Sequence, residues 1–444
     1  MKTRENEQAS CSARRVVADA ACTFCGCVCD DIELVVQGER IVEARKACVL
    51  GKAWFLGHAA EPRPACLIEG QPAPVEEGIE RAARILVQAR YPLVYGLSDT
   101  TCEAQRRAVA IADWLGGTVD TTTSVCHGPS GMAFQSVGEV TATLGEIRHR
   151  ADLVIYWGGN PAESHPRHFT RYTLMPKGLF VPRGRKDRFC VVVDVRRTKS
   201  AAAADLFIRI APRRDFEALW TLRALVKGLA LDAAQVEAQT GVPLDTWQQL
   251  AQRMKQARFG VLFFGMGLTM TRGKHLNSEA LLALAREMNQ WTRFVAKPVR
   301  GHGNVTGADN VVAWTTGYPF GVNFSRGYPR FNPGEYTAAD ILARGEADAA
   351  LIISADPMSN FSQPAREHLA RIPYIALDPQ ETPTTRQAAV AFAPAVYGIH
   401  TGGTVYRMDD VPIPLRPALH SPNPSDEAIL SAIEHRVRQL RHAG

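Results

Sequence analysis

The chain has 444 residues, 46% of them apolar and 22% charged, with 35 glycines and 27 prolines, the profile of a globular protein of two or three domains with ample core. A net charge of +6, from 51 basic and 45 acidic residues, is too slight for a nucleic-acid stripe or a membrane patch. No apolar run reaches the roughly 18 residues that a membrane span needs. The polar start, MKTRENEQASCSARR, has no apolar segment behind it and predicts a cytoplasmic protein. In that compartment the ten cysteines are expected to be reduced, and to serve metal binding or catalysis where they cluster.

The first cluster is CTFCGCVCDDIEL, residues 22–34. Cys22, Cys25 and Cys29 stand at the spacing C-x2-C-x3-C, with Cys27 between the last two and Cys48 further on. A zinc site would usually show two C-x2-C knuckles. A tight triplet with one remote cysteine better suits a cubane iron–sulfur cluster, each iron of which takes one thiolate. The segment between, DDIELVVQGERIVEARKAC, alternates apolar and polar residues about Gln37-Gly38. It predicts a two-stranded hairpin that returns Cys48 to the loop. Cys27 is the spare thiol, and Cys11, Cys66, Cys102 and Cys190 read as isolated residues.

A proline-rich stretch at 61–75 then reads as a connector and a boundary. Beyond it, helix and strand alternate. Helical spacing marks 79–88 and 103–115, and YPLVYG (91–96) is a short buried strand. Apolar runs ending in polar or glycine turns follow: LVIYWGGNP (153–161), CVVVDVRRT (190–198), FGVLFFGMGLT (259–269), AALIISADP (349–357) and PYIALDPQET (373–382). Continuous apolar strands between helices predict parallel sheets covered on both faces. An amphipathic helix is expected over 425–442.

Ligands bind such sheets at the carboxyl ends of the strands. Those ends carry Asn160, Asp194, Gly265, Asp356 and Asp378, with Arg196-Arg197 after Asp194 and Thr382, Thr384 and Thr385 after Asp378. Acidic groups for ribose or guanine edges, beside basic and hydroxyl groups for phosphates, point to a nucleotide-bearing cofactor held between two sheets. In ESHPRH, the residues His165, Arg167 and His168 follow the Asn160 turn and are candidates for phosphate or pterin contacts. TSVCHGPS sets Cys126 beside His127, a possible thiolate metal ligand with a neighbouring proton carrier. In KPVRGHGNVTGAD, Arg300 suits an oxyanion, and two glycines flank His302, so backbone can approach a ligand there.

Taken with GTVYRM near the end, these motifs resemble the molybdopterin oxidoreductase superfamily. Within it the chain is similar to the family of B-type subunits of formylmethanofuran dehydrogenase, relatives of which also serve in bacterial formyltransferase/hydrolase complexes. The resemblance runs in family order from Cys22 to Met408. It implies an α/β fold with a small N-terminal iron–sulfur domain at 1–62 and two doubly wound parallel-sheet domains. One is built from 63–140 and 301–444, the other is inserted at 141–300. It implies tungsten or molybdenum held by two molybdopterin guanine dinucleotides, with a 4Fe-4S cluster nearby. Cys22, Cys25, Cys29 and Cys48 would ligate the cluster, Lys52 would stand between cluster and pterin, and Cys126 would ligate the tungsten or molybdenum. His127 and Arg300 would flank that metal during interconversion of carbon dioxide and formate. Asn160, His165, Arg167, Asp194, Arg197, Gly265, His302, Asp356, Asp378 and Thr384 would line the cofactor. Implied partners are an amidohydrolase-like A-type subunit, a C-type subunit, and a barrel D-type subunit or a formyltransferase, which together serve a methanofuran or methylofuran carrier. The alternative function is a redox-silent structural subunit of a formyltransferase/hydrolase complex in formaldehyde oxidation.

Overall fold

The computed structural model describes residues 14–58 and 63–443; Cys11 lies outside them. The chain divides into two compact units, one formed by residues up to 125 together with those from 302 onward, the other by Cys126–Gly301.

In the smaller unit the described residues form a five-stranded sheet, parallel throughout, in the order Leu206–Arg209, Phe189–Asp194, Leu153–Trp157, Phe259–Phe264, Arg293–Pro298. Every residue of Leu153–Trp157 and Phe259–Phe264 is buried, as the unbroken apolar runs require. Alternation decides what each side chain meets. Leu153, Ile155 and Trp157 join the core against the helices Asp215–Val226, Leu244–Gln256 and His275–Met288. Tyr156 points the other way and stacks on Phe263 at 5.2 Å. The indole N–H of buried Trp157 donates to Asp215 Oδ1 at 2.9 Å, which satisfies it away from water.

The larger unit contains a nine-stranded sheet among its described residues. Its centre is parallel, in the order Thr118–Thr121, Pro92–Gly96, Ala349–Ile353, Tyr374–Leu377, Val390–Phe392. The edges are antiparallel. Val322–Asn323 and Arg330–Phe331 extend one side; Cys66–Ile68 and Gln71–Pro72 extend the other. The described part of the stretch read as a connector is therefore sheet edge, where Pro72 costs no ladder hydrogen bond that a central strand would need. The helices Val75–Gln88, Cys102–Leu115, Val305–Thr316 and Asp426–Ala443 cover one face. Ala338–Ala343 and Gln363–Leu369 cover the other.

A separate three-stranded antiparallel sheet precedes these elements. The expected hairpin is present as Ile32–Gln37 and Arg40–Arg45, turning at Gly38 with φ +57°. Arg14–Ala20 adds a strand that the polar composition of the start did not suggest. Among the described residues no helix is long and apolar enough to cross a membrane.

Candidate functional site

In the larger unit the cysteine loop runs between the strands Arg14–Ala20 and Ile32–Gln37. It closes on itself: Cys22 N–H donates to Cys29 O at 2.9 Å, and Val28 N–H to Cys25 O at 3.0 Å. Cys22, Cys27 and Cys29 are buried, while Cys25 and Cys48 are half-buried. Cys48 does not end the hairpin as a free strand residue. It is the N-cap of the helix Val49–Leu56, its Sγ accepting from Gly51 N–H at 3.4 Å. A Cβ placed on Gly51 would lie 3.1 Å from Cys22 Sγ and 3.8 Å from Cys48 Sγ. The remote thiol and the first loop thiol thus both come close to Gly51, where a side chain would crowd Cys22. Lys52 follows, exposed on the first turn of that helix.

The thiols differ electrostatically. Burial, then neighbouring Cys25, Cys29 and Cys48, pushes Cys22 well above its ordinary value. A hydrogen bond from the Cys27 thiol holds Cys25 below its ordinary value, and that bond, followed by burial, pushes Cys27 well up. Several thiolates cannot coexist in so small a buried volume without a cation among them. No group of three or more His, Cys, Asp or Glu is gathered as a closed metal cage among the described residues. The donor set still fits a multi-iron group, whose positive charge would draw the thiolates in.

The loop leans on the Gly-flanked His302 segment that the sequence points to, and on Asp99 and Tyr397, which it does not. A Cβ on Gly303 would fall 1.9 Å from Thr23 O, so backbone meets backbone there. Asp99 fixes the contact: it accepts from Gly303 N–H at 3.2 Å, pairs with His302 Nδ1 at 2.8 Å, and accepts from Tyr397 OH at 3.3 Å. His302 itself is half exposed. The only hint of Asp99 in sequence is its place just after the YPLVYG strand, at a carboxyl end.

In the smaller unit His127 caps the helix Gly128–Val137 and is fully buried. Its Nδ1 lies 3.1 Å from Ser130 Oγ, and its Nε2 makes no hydrogen bond among the described residues. Burial, then Arg300, takes its pKa down to about 3, with only the Val299 backbone favouring the proton. Cys126 is half-buried, and its carbonyl accepts from Thr269 Oγ1 at 3.1 Å. Arg300 is buried, and its carbonyl accepts from His165 Nε2 at 2.7 Å. Burial lowers His165 to about 4 and His168 to about 3. His168 Nδ1 sits 3.0 Å from Tyr156 OH. Arg167 is half-buried and Arg197 exposed.

The strand ends contain one construction built twice. After Leu153–Trp157, Asn160 caps the short helix Pro161–Ser164. Its Oδ1 accepts from Ser200 N–H at 3.1 Å and Ser200 Oγ at 2.7 Å, and Ser200 Oγ accepts from Ala162 N–H at 3.1 Å. After Ala349–Ile353, Asp356 caps the short helix Pro357–Asn360. Its Oδ1 accepts from Thr384 N–H at 3.2 Å and Thr384 Oγ1 at 2.6 Å, and Thr384 Oγ1 accepts from Met358 N–H at 3.2 Å. The two caps share a backbone conformation, φ −125° ψ 65° against φ −122° ψ 70°. Asp194 and Asp378 occupy matching places six residues before Ser200 and Thr384. Each accepts from the backbone N–H two residues on, at 3.3 and 2.8 Å. Burial raises both carboxyls, Asp378 to about 7. The side chains of Asn160, Asp356 and Thr384 are spent on the bracket, and Asp194 and Asp378 stand outside it. At Gly265 a Cβ would be 2.7 Å from Gly158 O, so two strand ends touch there.

The chain matches no family model. It is 44% identical over 435 residues, 96% of its length and 99% of the relative's, to the B-type subunit of the tungsten-containing formylmethanofuran dehydrogenase 2 of Methanocaldococcus jannaschii. Among solved structures it is similar to the formyltransferase/hydrolase complex FhcABCD from Methylorubrum extorquens in complex with methylofuran. That match has a TM-score of 0.68 and 26% identity, and covers 85% of this chain and 100% of that one. Acetylene hydratase from Pelobacter acetylenicus, with a TM-score of 0.67 and 12% identity over 97% of this chain and 70% of that one, shares the fold.

Proposed function

Because the chain belongs to the family of B-type subunits of formylmethanofuran dehydrogenase, we propose that it carries the tungsten or molybdenum site of such an enzyme and interconverts carbon dioxide and formate. Cys22, Cys25, Cys29 and Cys48 would hold a 4Fe-4S cluster, and Cys126 the tungsten or molybdenum. The strand ends at Asp194 and Asp378 would take the nucleotide ends of two pterin dinucleotides. When bound, these groups supply the two-electron chemistry at the metal and carry electrons one at a time through the cluster.

The protein supplies placement and charge. Arg300, buried and cationic, binds the formate carboxylate; the low dielectric strengthens that charge-assisted contact. His127, kept neutral by burial and by Arg300 and held through Nδ1 beside Ser130, would serve as the proton carrier. Asn160 and Asp356 keep two strand ends in one shape. Lys52 lies on the helix that Cys48 caps, a short step from the cluster ligands. The chain would work in the cytoplasm within a multi-subunit complex. There an amidohydrolase-like subunit would join formate to the amine of a methanofuran-type carrier, beside C-type and D-type subunits.

The observation that carries this reading beyond the family is the bracket built twice, since two equivalent strand ends suit two copies of one dinucleotide. The test is formate-dependent viologen reduction by the native complex purified without oxygen. Cys126→Ala is expected to lower it by at least about a hundredfold. Activity untouched by Cys126→Ala would refute the assignment. A second reading, a redox-silent subunit of a formyltransferase/hydrolase complex, is favoured by the likeness to FhcABCD over all of that chain. It expects no formate-dependent reduction from the wild-type complex and intact hydrolysis of a formylated carrier.

A further inference from the structure

His165 ends the short helix Pro161–Ser164 that follows the strand Leu153–Trp157. The residue is 2% exposed. Nε2 lies 2.7 Å from Arg300 O, and Nδ1 lies 2.8 Å from Ser164 Oγ. A carbonyl only accepts, so Nε2 carries the hydrogen; Nδ1 is then an acceptor beside the Ser164 hydroxyl, whose one hydrogen also has Asn160 O within reach at 3.1 Å. Nε2, the one donor of the neutral ring, is therefore engaged within the chain and is not left for a phosphate or a pterin.

The bond joins residues 135 positions apart. Leu153–Trp157 and Arg293–Pro298 flank Phe259–Phe264 on opposite sides, so the imidazole spans the carboxyl end of the central strand. Val299 N–H donates to Phe264 O at 2.8 Å, and the carbonyl of the following residue, Arg300, is the one His165 takes. Gly301 follows, with open space where a Cβ would be, so the peptide beyond Arg300 has little steric definition of its own. A buried donor on that carbonyl fixes the plane of the Arg300–Gly301 peptide, and with it the direction in which the guanidinium leaves the backbone.

We propose that His165 is a positioning residue: its Nε2–H holds the Arg300 backbone so that the guanidinium meets a small carboxylate. The proposal rests on Arg300 being the formate-binding group of the reading above.

The experiment compares His165→Ala and His165→Gln with wild type in the native complex. In His165→Ala the KM for formate is expected to rise about tenfold, the loss of one buried hydrogen bond, with kcat within about threefold and with iron and tungsten or molybdenum content unchanged. His165→Gln, whose amide N–H can still reach the carbonyl, is expected to recover most of that loss. A second readout needs no bound metal: the rate of phenylglyoxal modification of Arg300, followed by mass spectrometry, is expected to rise at least about fivefold in His165→Ala. If that variant does not assemble, Ser164→Ala, which removes the hydroxyl beside Nδ1 and so loosens the ring, is expected to give a smaller shift of the same kind. Unchanged labelling with lost metal or pterin would make His165 a cofactor ligand and overturn the proposal, as would no change in either readout. A wild-type complex inert toward formate would refute the redox reading alone, while the labelling would still decide the role of His165.

Discussion

Replacing Asp120 with alanine is expected to lower the free energy of unfolding by about 3–5 kcal/mol, the loss of four buried hydrogen bonds with three backbone donors left unsatisfied. Asp120 is wholly buried at the end of the strand Thr118–Thr121. Oδ1 accepts from Thr121 N–H and Gly321 N–H, both at 3.0 Å; Oδ2 accepts from Ala338 N–H and Ser124 Oγ, both at 2.7 Å. Alanine would orphan three buried backbone donors at once. One carboxylate thus ties a strand end, two loops and the turn Thr122–Val125 that leads directly into Cys126. The loss is read by urea unfolding and by hydrogen exchange at Thr121, Gly321 and Ala338. A change below about 1 kcal/mol would mean that these groups find other partners. Titration gives a second check. Burial raises the carboxyl to about 7, against the four donors. Its folded pKa lies above its unfolded one, so the folded chain binds the extra proton between about pH 4 and 7. Relative to Asp120→Asn, wild type therefore loses stability as pH rises through that window, and the difference is level above it.

The second large effect concerns the opening cysteines. Replacing Cys29 with serine in the native complex is expected to drop iron from about four per chain to below about one. Cys27→Ser is expected to leave iron nearly unchanged. The two thiols are neighbours in sequence and similarly buried, so composition and exposure do not separate them. Their roles in the loop do. The peptide of Cys29 closes the loop by accepting from Cys22 N–H, whereas the Cys27 thiol is spent on Cys25. Iron lost equally in both variants would make Cys27 a ligand and end the assignment of the C-x2-C-x3-C triplet.

Much of this molecule is legible in its sequence because buried parallel strands leave a coarse signal. LVIYW, FGVLFF and AALII stand out as unbroken apolar runs, and each is a central strand. The hairpin after the cysteines shows in its alternation, as does the helix Asp426–Ala443 in its apolar stripe. Edge strands were less visible. Cys66–Ile68 and Gln71–Pro72 are short and rich in turn-forming neighbours, and the first is held to the sheet by a partner more than 300 residues away. The strand Arg14–Ala20 is mostly exposed and so carries no apolar pattern. At the strand ends, sequence picked out Asn160, Asp356 and Thr384 by residue type and position. It could not reveal that Asn160 closes on Ser200, or Asp356 on Thr384, because neither pairing has a fixed spacing: 40 residues separate the first pair and 28 the second. Asp99 and Asp120 escaped for the same reason, their partners lying about 200 residues away. Cys48 was recognised as the remote thiol, but its capping of the helix Val49–Leu56 depends on a thiol acting as an N-cap acceptor, a role usually filled by Ser, Thr, Asp or Asn.

The central claim is that this chain holds a cluster and a pterin-bound metal. The most direct measurement is the iron, acid-labile sulfide, tungsten and molybdenum content of the native complex, purified from its host without oxygen. The account predicts about four irons with matching sulfide, and about one tungsten or molybdenum per chain. A stable complex with neither iron nor tungsten nor molybdenum would contradict it, and would leave the cysteines of CTFCGCVC as buried thiols in a scaffold subunit.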